Sequence, residues 1–170
     1  MTTPPIHPGI EPLAFLLGTW AGEGSGSYPT IEPFPYRESI SFTQNGKPFL
    51  AYQQRTMHAT EHRPLHAETG YWRLAPDGTT VELVLAHPFG VVEVLSGPIT
   101  SNAETHHRIE LTSASLAGTP TAKEVRRTTR MITIADGVLT YDVAMEAVGV
   151  PLTHHLHAVL HCEGATNPSG

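Results

Sequence analysis

The sequence predicts an all-β fold, an antiparallel β-barrel of about ten strands with a short N-terminal helix. Three observations carry this. Apolar residues recur at every second position through most of the chain, the period of a strand with one buried face. Turn signals interrupt the alternation at short intervals, among them Asn45-Gly46, Pro76-Asp77-Gly78 and Asp136-Gly137. The one stretch of helical character is brief: Pro12–Leu17 begins on proline and stops at Gly18.

In chain order, the opening strand is expected at Thr19–Ser25. Tyr36, Ile40 and Phe42 then alternate with Arg37, Ser39, Ser41 and Thr43, and Asn45-Gly46 turns the chain back through Phe49 to Thr56. Further strands are expected at about Leu65–Leu74, across Val81, Leu83 and Leu85, at Gly90–Leu95 and at His106–Ser113. A long strand covers about Ala122–Ile134. Leu139, Tyr141, Val143 and Met145 form one face of the next, and the last runs from about His155 to Cys162. The small, polar tail Gly164–Gly170 is expected to fray. No repeat or linker is visible, so positions 1–170 read as one domain with its core at about 11–162. A sandwich and a barrel both accommodate ten short strands. The barrel removes exposed edges and leaves room for a ligand.

Composition narrows the function classes. Charged residues make up only 15% of the 170 and apolar residues 39%, too little charge for a disordered chain and too little apolar content for a membrane protein. No run approaches the roughly 20 apolar residues of a spanning helix. The N-terminus MTTPPIHPGIEP has no basic and apolar leader pattern. The single Cys162 cannot form an internal disulfide, so a cytoplasmic location is expected. A formal net charge of −6 argues against nucleic acid as a partner. The densest basic run, Arg126, Arg127 and Arg130 with Lys123 nearby, reads as solvent-facing strand positions. Eleven histidines invite a metal or haem reading without proving one.

Gly18-Thr19-Trp20-Ala21-Gly22-Glu23-Gly24 fits a G-x-W-x-G-x-G pattern. It is preceded by Pro12–Leu17 and followed by Tyr28-Pro29-Thr30-Ile31 and Phe34-Pro35-Tyr36-Arg37-Glu38. Later come His66-Ala67-Glu68-Thr69-Gly70-Tyr71-Trp72-Arg73, Met145 and Pro151-Leu152-Thr153-His154-His155-Leu156. In this order the segments resemble the nitrobindin family over about positions 11–162. The glycines of the first motif read as packing residues that let the strand bend, with Trp20 plugging the barrel floor.

The resemblance implies one b-type haem per chain, with His155 as axial ligand to the iron and therefore the catalytic residue. Strand parity leaves a competitor. His154 shares its parity with Leu152, Leu156, Ala158 and Leu160, and His155 with His157, Val159 and His161. A turn or bulge near Pro151 would reset the register in favour of His155. His155 and His157 on one strand face also suit a divalent metal, but no third ligand is evident. By resemblance, Thr30 lies at the haem edge, where it meets a propionate or simply caps its loop. His66 matches a cavity-facing histidine, against a solvated strand end. Met145 reads as a soft pocket wall rather than a second iron ligand. Lys123 is a candidate propionate partner, against a solvated lysine.

The implied activity is isomerisation of peroxynitrite to nitrate at ferric haem, with nitric oxide as a second ligand. The family's frequent dimerisation extends the expectation to a homodimer. A non-catalytic nitric oxide sensor, a haem carrier and a lipocalin-like binder of apolar ligands are the alternatives from another class.

Overall fold

The computed structural model describes residues 4–103 and 105–163, so the tail from Gly164 lies outside the described residues. Ten strands follow one another: β1 (Gly18–Tyr28), β2 (Ile31–Thr43), β3 (Leu50–His58), β4 (Pro64–Leu74), β5 (Thr80–His87), β6 (Val91–Ala103), β7 (His106–Gly118), β8 (Val125–Ala135), β9 (Val138–Ala147) and β10 (Val150–Cys162). Each pairs antiparallel with its neighbour in sequence, and β1 pairs with β10 to close the barrel. Closure leaves the sheet without a free edge. The expected all-β barrel is the observed one.

The opening helix differs from expectation. It spans Pro8–Leu16 and is a 3₁₀ helix. Its buried residues Ile10, Leu13 and Leu16 are spaced by three, which aligns them on one side at three residues per turn. Pro12 inside it has no N–H to give to an α-helical ladder, and His7 Nδ1 accepts the Gly9 N–H at 3.0 Å. The helix seals the end of the barrel where β1 begins. Trp20 Nε1 donates to the Leu16 carbonyl at 2.8 Å, and Phe15 stacks on His107 at the start of β7.

Strand bounds also shift. The strand expected from Ala122 begins at Val125, because the Ala122 N–H closes a turn onto the Thr119 carbonyl at 3.0 Å. β10 starts at Val150, before the expected His155, across a tight turn in which Val148 and Gly149 both have positive φ. The packing role expected for the first glycine motif is present. A Cβ on Gly22 would collide with the Val159 carbonyl, and one on Gly24 with the Tyr36 ring.

Antiparallel pairing sorts the strand ends. The end opposite the helix gathers the last residues of β1, β3, β5, β7 and β9 and the first residues of the even-numbered strands. Thr30, His66, Lys123, Met145 and His155 therefore all lie toward this open end. Between it and the helix-sealed floor runs an apolar core that includes Trp20, Phe42, Leu50, Trp72, Leu83 and Leu160.

Candidate functional site

His155 is the extra residue of a β-bulge. His154 pairs with Ala144 and Leu156 with Val143, which leaves His155 without a partner on β9. The consequence is a change of side within the strand. His154 Nε2 and His157 Nδ1 each lie 3.0 Å from Asp142 Oδ1, on the outside of the barrel. His155 instead directs Nδ1 to the Ser27 carbonyl at 3.0 Å and sets its ring edge-on to Tyr28, with ring centres 5.3 Å apart. His155 and His157 thus part company, and the two-histidine chelate considered from sequence does not form.

Three features suit His155 to iron. The Nδ1 contact fixes the tautomer and leaves the Nε2 lone pair available. Burial, outweighing the Ser27 carbonyl and aided by His154 and His66, lowers the pKa, which favours the neutral imidazole. The open end is also rimmed by exposed apolar side chains, Ile31, Phe89, Val148 and Leu152, as a large flat apolar group requires. The residues present fit a haem.

The other predicted site residues spread around this opening. Tyr28 links two of them: its ring meets His155, and its hydroxyl donates to the Met145 carbonyl at 3.1 Å and accepts the Ala147 N–H at 3.1 Å. Met145 is half-buried in β9. Thr30 is exposed in the β1–β2 turn, and Lys123 is exposed beside a shallow cleft of about 220 Å³ that includes Val91, Leu116 and Val125. His66 is half-buried near the start of β4 and belongs to a network the sequence reading did not foresee.

That network is a charged layer inside the barrel. Arg130 corrects the reading of a solvated basic run: Arg126 and Arg127 are exposed, whereas the Arg130 guanidinium points inward. It grips both oxygens of Glu68, at 2.6 and 2.9 Å, and reaches Glu93 at 3.1 Å. Tyr52 donates to Glu68 Oε1 at 2.7 Å and Thr128 to Glu93 Oε2 at 2.6 Å. Burial alone would raise both carboxyl pKa values. Arg130 and His66 overcome it for Glu68, and His87, Arg130 and Thr128 do so for Glu93, so both are lowered. The signal was available in strand parity. Arg130 alternates in phase with Ile132 and Ile134, Glu68 with Trp72, and Glu93 with Val91 and Leu95.

Glu38 is a second buried carboxyl, in phase with Tyr36, Ile40 and Phe42. It accepts from Tyr141 at 2.6 Å and from Gln54 at 2.8 Å. Burial nevertheless pushes it up to about 7 from an ordinary 4.5. A carboxyl raised on folding favours the folded state most below its unfolded pKa, and that contribution is lost as pH rises toward about 7. The shift corresponds to about 3 kcal/mol. Glu38→Gln is expected to remove this dependence, so its stability relative to wild type improves as pH rises from 5 to 8. Urea unfolding at both pH values measures the change, and a constant difference would contradict it.

Beside Arg130 stands a trio whose ligating atoms converge. His66 Nε2 lies 3.3 Å from His87 Nδ1 and 3.6 Å from Glu68 Oε2, and His87 Nδ1 lies 3.4 Å from the same oxygen. His87 turns its other nitrogen, Nε2, to Glu93 Oε1 at 3.1 Å.

A closed ten-stranded barrel with a bulge-mounted histidine, oriented by the Ser27 carbonyl at an apolar-rimmed mouth, defines a haem-binding type of β-barrel. The chain belongs to the THAP4-like, heme-binding beta-barrel domain family, whose model matches residues 9–161. It is 52% identical over 158 residues to peroxynitrite isomerase 2 of Mycobacterium avium, covering 92% of this chain and 96% of the relative. It is 49% identical over 155 residues to the peroxynitrite isomerase of Nocardia farcinica, covering 91% of each. The crystal structure of Rv2717c from M. tuberculosis superposes with a TM-score of 0.90 at 44% identity, covering 94% of this chain and 99% of that one.

Proposed function

We propose that this chain is a haem-dependent peroxynitrite isomerase whose iron is held by His155 Nε2. The observation that carries the reading is the bulge. It takes one histidine out of the outer row, orients it through Nδ1 and favours its neutral form. The names of relatives at about half identity supply the reaction. When bound, ferric haem would supply the redox-active centre for the isomerisation of peroxynitrite to nitrate, a rearrangement that consumes no external electron donor.

The chain's own residues orient and enclose. Ser27 and Tyr28 fix the His155 ring. Met145 offers a soft wall, His66 a polar group inside the opening, and Thr30 and Lys123 rim positions suited to propionates. A single cysteine excludes a paired thioether attachment, which supports a non-covalent, b-type haem, and the one bulge-mounted histidine supports one haem per chain. The same iron position would take nitric oxide. Among the described residues no helix is long and apolar enough to cross a membrane. The lone Cys162 supports a cytoplasmic location.

A homodimer is supported by an exposed apolar stretch of the outer wall, Tyr71, Val84 and Val94, which pair across β4, β5 and β6. Val84→Asp is expected to give a monomer by sedimentation, and an unchanged mass would remove this face from consideration.

The proposed activity is tested by titrating the purified chain with hemin and following peroxynitrite. A saturable Soret band near one equivalent is expected, and loaded protein should yield nitrate faster than free hemin at equal concentration. Saturable haem and nitric oxide binding without faster peroxynitrite decay would make the chain a sensor or carrier instead.

A further inference from the structure

The convergence of His66, Glu68 and His87 goes beyond a haem pocket. The three separations, 3.3, 3.4 and 3.6 Å, are nearly equal. Each exceeds the roughly 2.9–3.0 Å typical of a good N–H···O hydrogen bond. A hydrogen-bonded trio would shorten one contact and release another. Equal edges instead describe one face of a coordination tetrahedron. Metal–ligand bonds of about 2.0–2.1 Å place the donors of such a face about 3.3–3.4 Å apart.

The surroundings are those of a built site. Glu68 Oε1 accepts from both Tyr52 and Arg130, whereas Oε2 accepts from Arg130 at 2.9 Å and also faces the two imidazoles. His87 presents Nδ1 to the trio while Glu93 holds its Nε2 at 3.1 Å, the carboxylate–histidine arrangement that fixes a ligand's tautomer and direction. Charge points the same way. Arg130 bridges Glu68 and Glu93, so two carboxylates face one guanidinium and one negative charge is left over. Glu68 and His87 are almost wholly buried, with side chains 4% and 7% exposed, whereas His66 is 29% exposed. The accessible side of the trio is therefore that of His66, toward the open end.

We propose that His66 Nε2, His87 Nδ1 and Glu68 Oε2 form a site for a borderline divalent cation such as Zn²⁺, separate from the haem iron, with a fourth coordination position on the His66 side, toward the open end of the barrel. Two imidazoles and one carboxylate suit Zn²⁺ or Fe²⁺ over Mg²⁺ or Ca²⁺. The site requires no haem.

Co²⁺ is the direct probe, titrated into the full chain without hemin, so that failure here is distinct from failure of the haem reading. One saturable Co²⁺ per chain is expected, with the intense visible absorption of four-coordinate cobalt and displacement by Zn²⁺. His66→Ala, at a half-exposed position, should keep the far-UV circular dichroism of the barrel and weaken uptake at least about 100-fold. His87→Asn should do the same. The double variant His154→Ala/His157→Ala, altered only on the outer wall, should bind as wild type does. Absence of saturable uptake, uptake indifferent to His66→Ala, or uptake lost in the outer-wall variant would each overturn the site.

Discussion

His155→Ala is expected to abolish tight haem binding and peroxynitrite isomerisation together while leaving the barrel folded. His155 Nε2 is the one protein ligand proposed for the iron. Even partners one shell removed from a metal typically cost 10–100-fold in affinity, so a loss of about 100-fold or more is expected for the ligand itself. The structural cost is small because the position is a bulge. The variant gives up the 3.0 Å contact with the Ser27 carbonyl and the edge-on contact with Tyr28, but no ladder pairing to β9. About 1 kcal/mol is at stake. Hemin titration, peroxynitrite decay and thermal unfolding of the same preparation separate the two effects. His154→Ala is the matched control, since it removes an outward contact with Asp142 one residue away. Haem loss in His154→Ala with retention in His155→Ala would transfer the ligand role to His154. Retention in both would remove this adjacent histidine pair from the assignment.

The uneven legibility of the sequence has a physical origin. Alternation is local, so the strands, the closed all-β fold and the inward row of Tyr36, Ile40 and Phe42 follow from neighbouring residues. Even the 3₁₀ form of the opening helix was latent in the three-residue spacing of Ile10, Leu13 and Leu16. The bulge at His155 is different. Parity assigned His154 to the inner face, and only the register against β9 shows where one residue is skipped. The charged layer was half legible. Parity turned Glu38, Glu68, Glu93 and Arg130 inward, but a strand's own pattern does not say which inward groups meet. Arg130 reaches Glu68, 62 residues earlier and four strands away along the sheet, because the barrel closes and brings opposite walls together. A count of basic residues therefore read Arg130 as solvated when its in-phase neighbours Ile132 and Ile134 pointed inside.

Arg130→Met should have the largest effect on stability. It preserves much of the side-chain volume but leaves Glu68 and Glu93 buried beside each other without their guanidinium. Removing one partner from a buried ionic group typically costs 3–5 kcal/mol, or a fall in Tm of roughly 10 °C for a domain of this size. The pH dependence identifies the cause. In the wild type Arg130 opposes the upward push of burial and helps hold both carboxyl pKa values low. Without it, burial meets less opposition and both carboxyl pKa values rise, so the variant loses stability relative to the wild type as pH rises and the carboxyls ionise. The deficit of Arg130→Met is thus expected to be large at pH 8 and to shrink toward pH 5, as read from urea unfolding. A simple packing defect would give the same deficit at both. A pH-independent loss would show that Arg130 acts as filler and that the charge balance drawn for this layer is wrong.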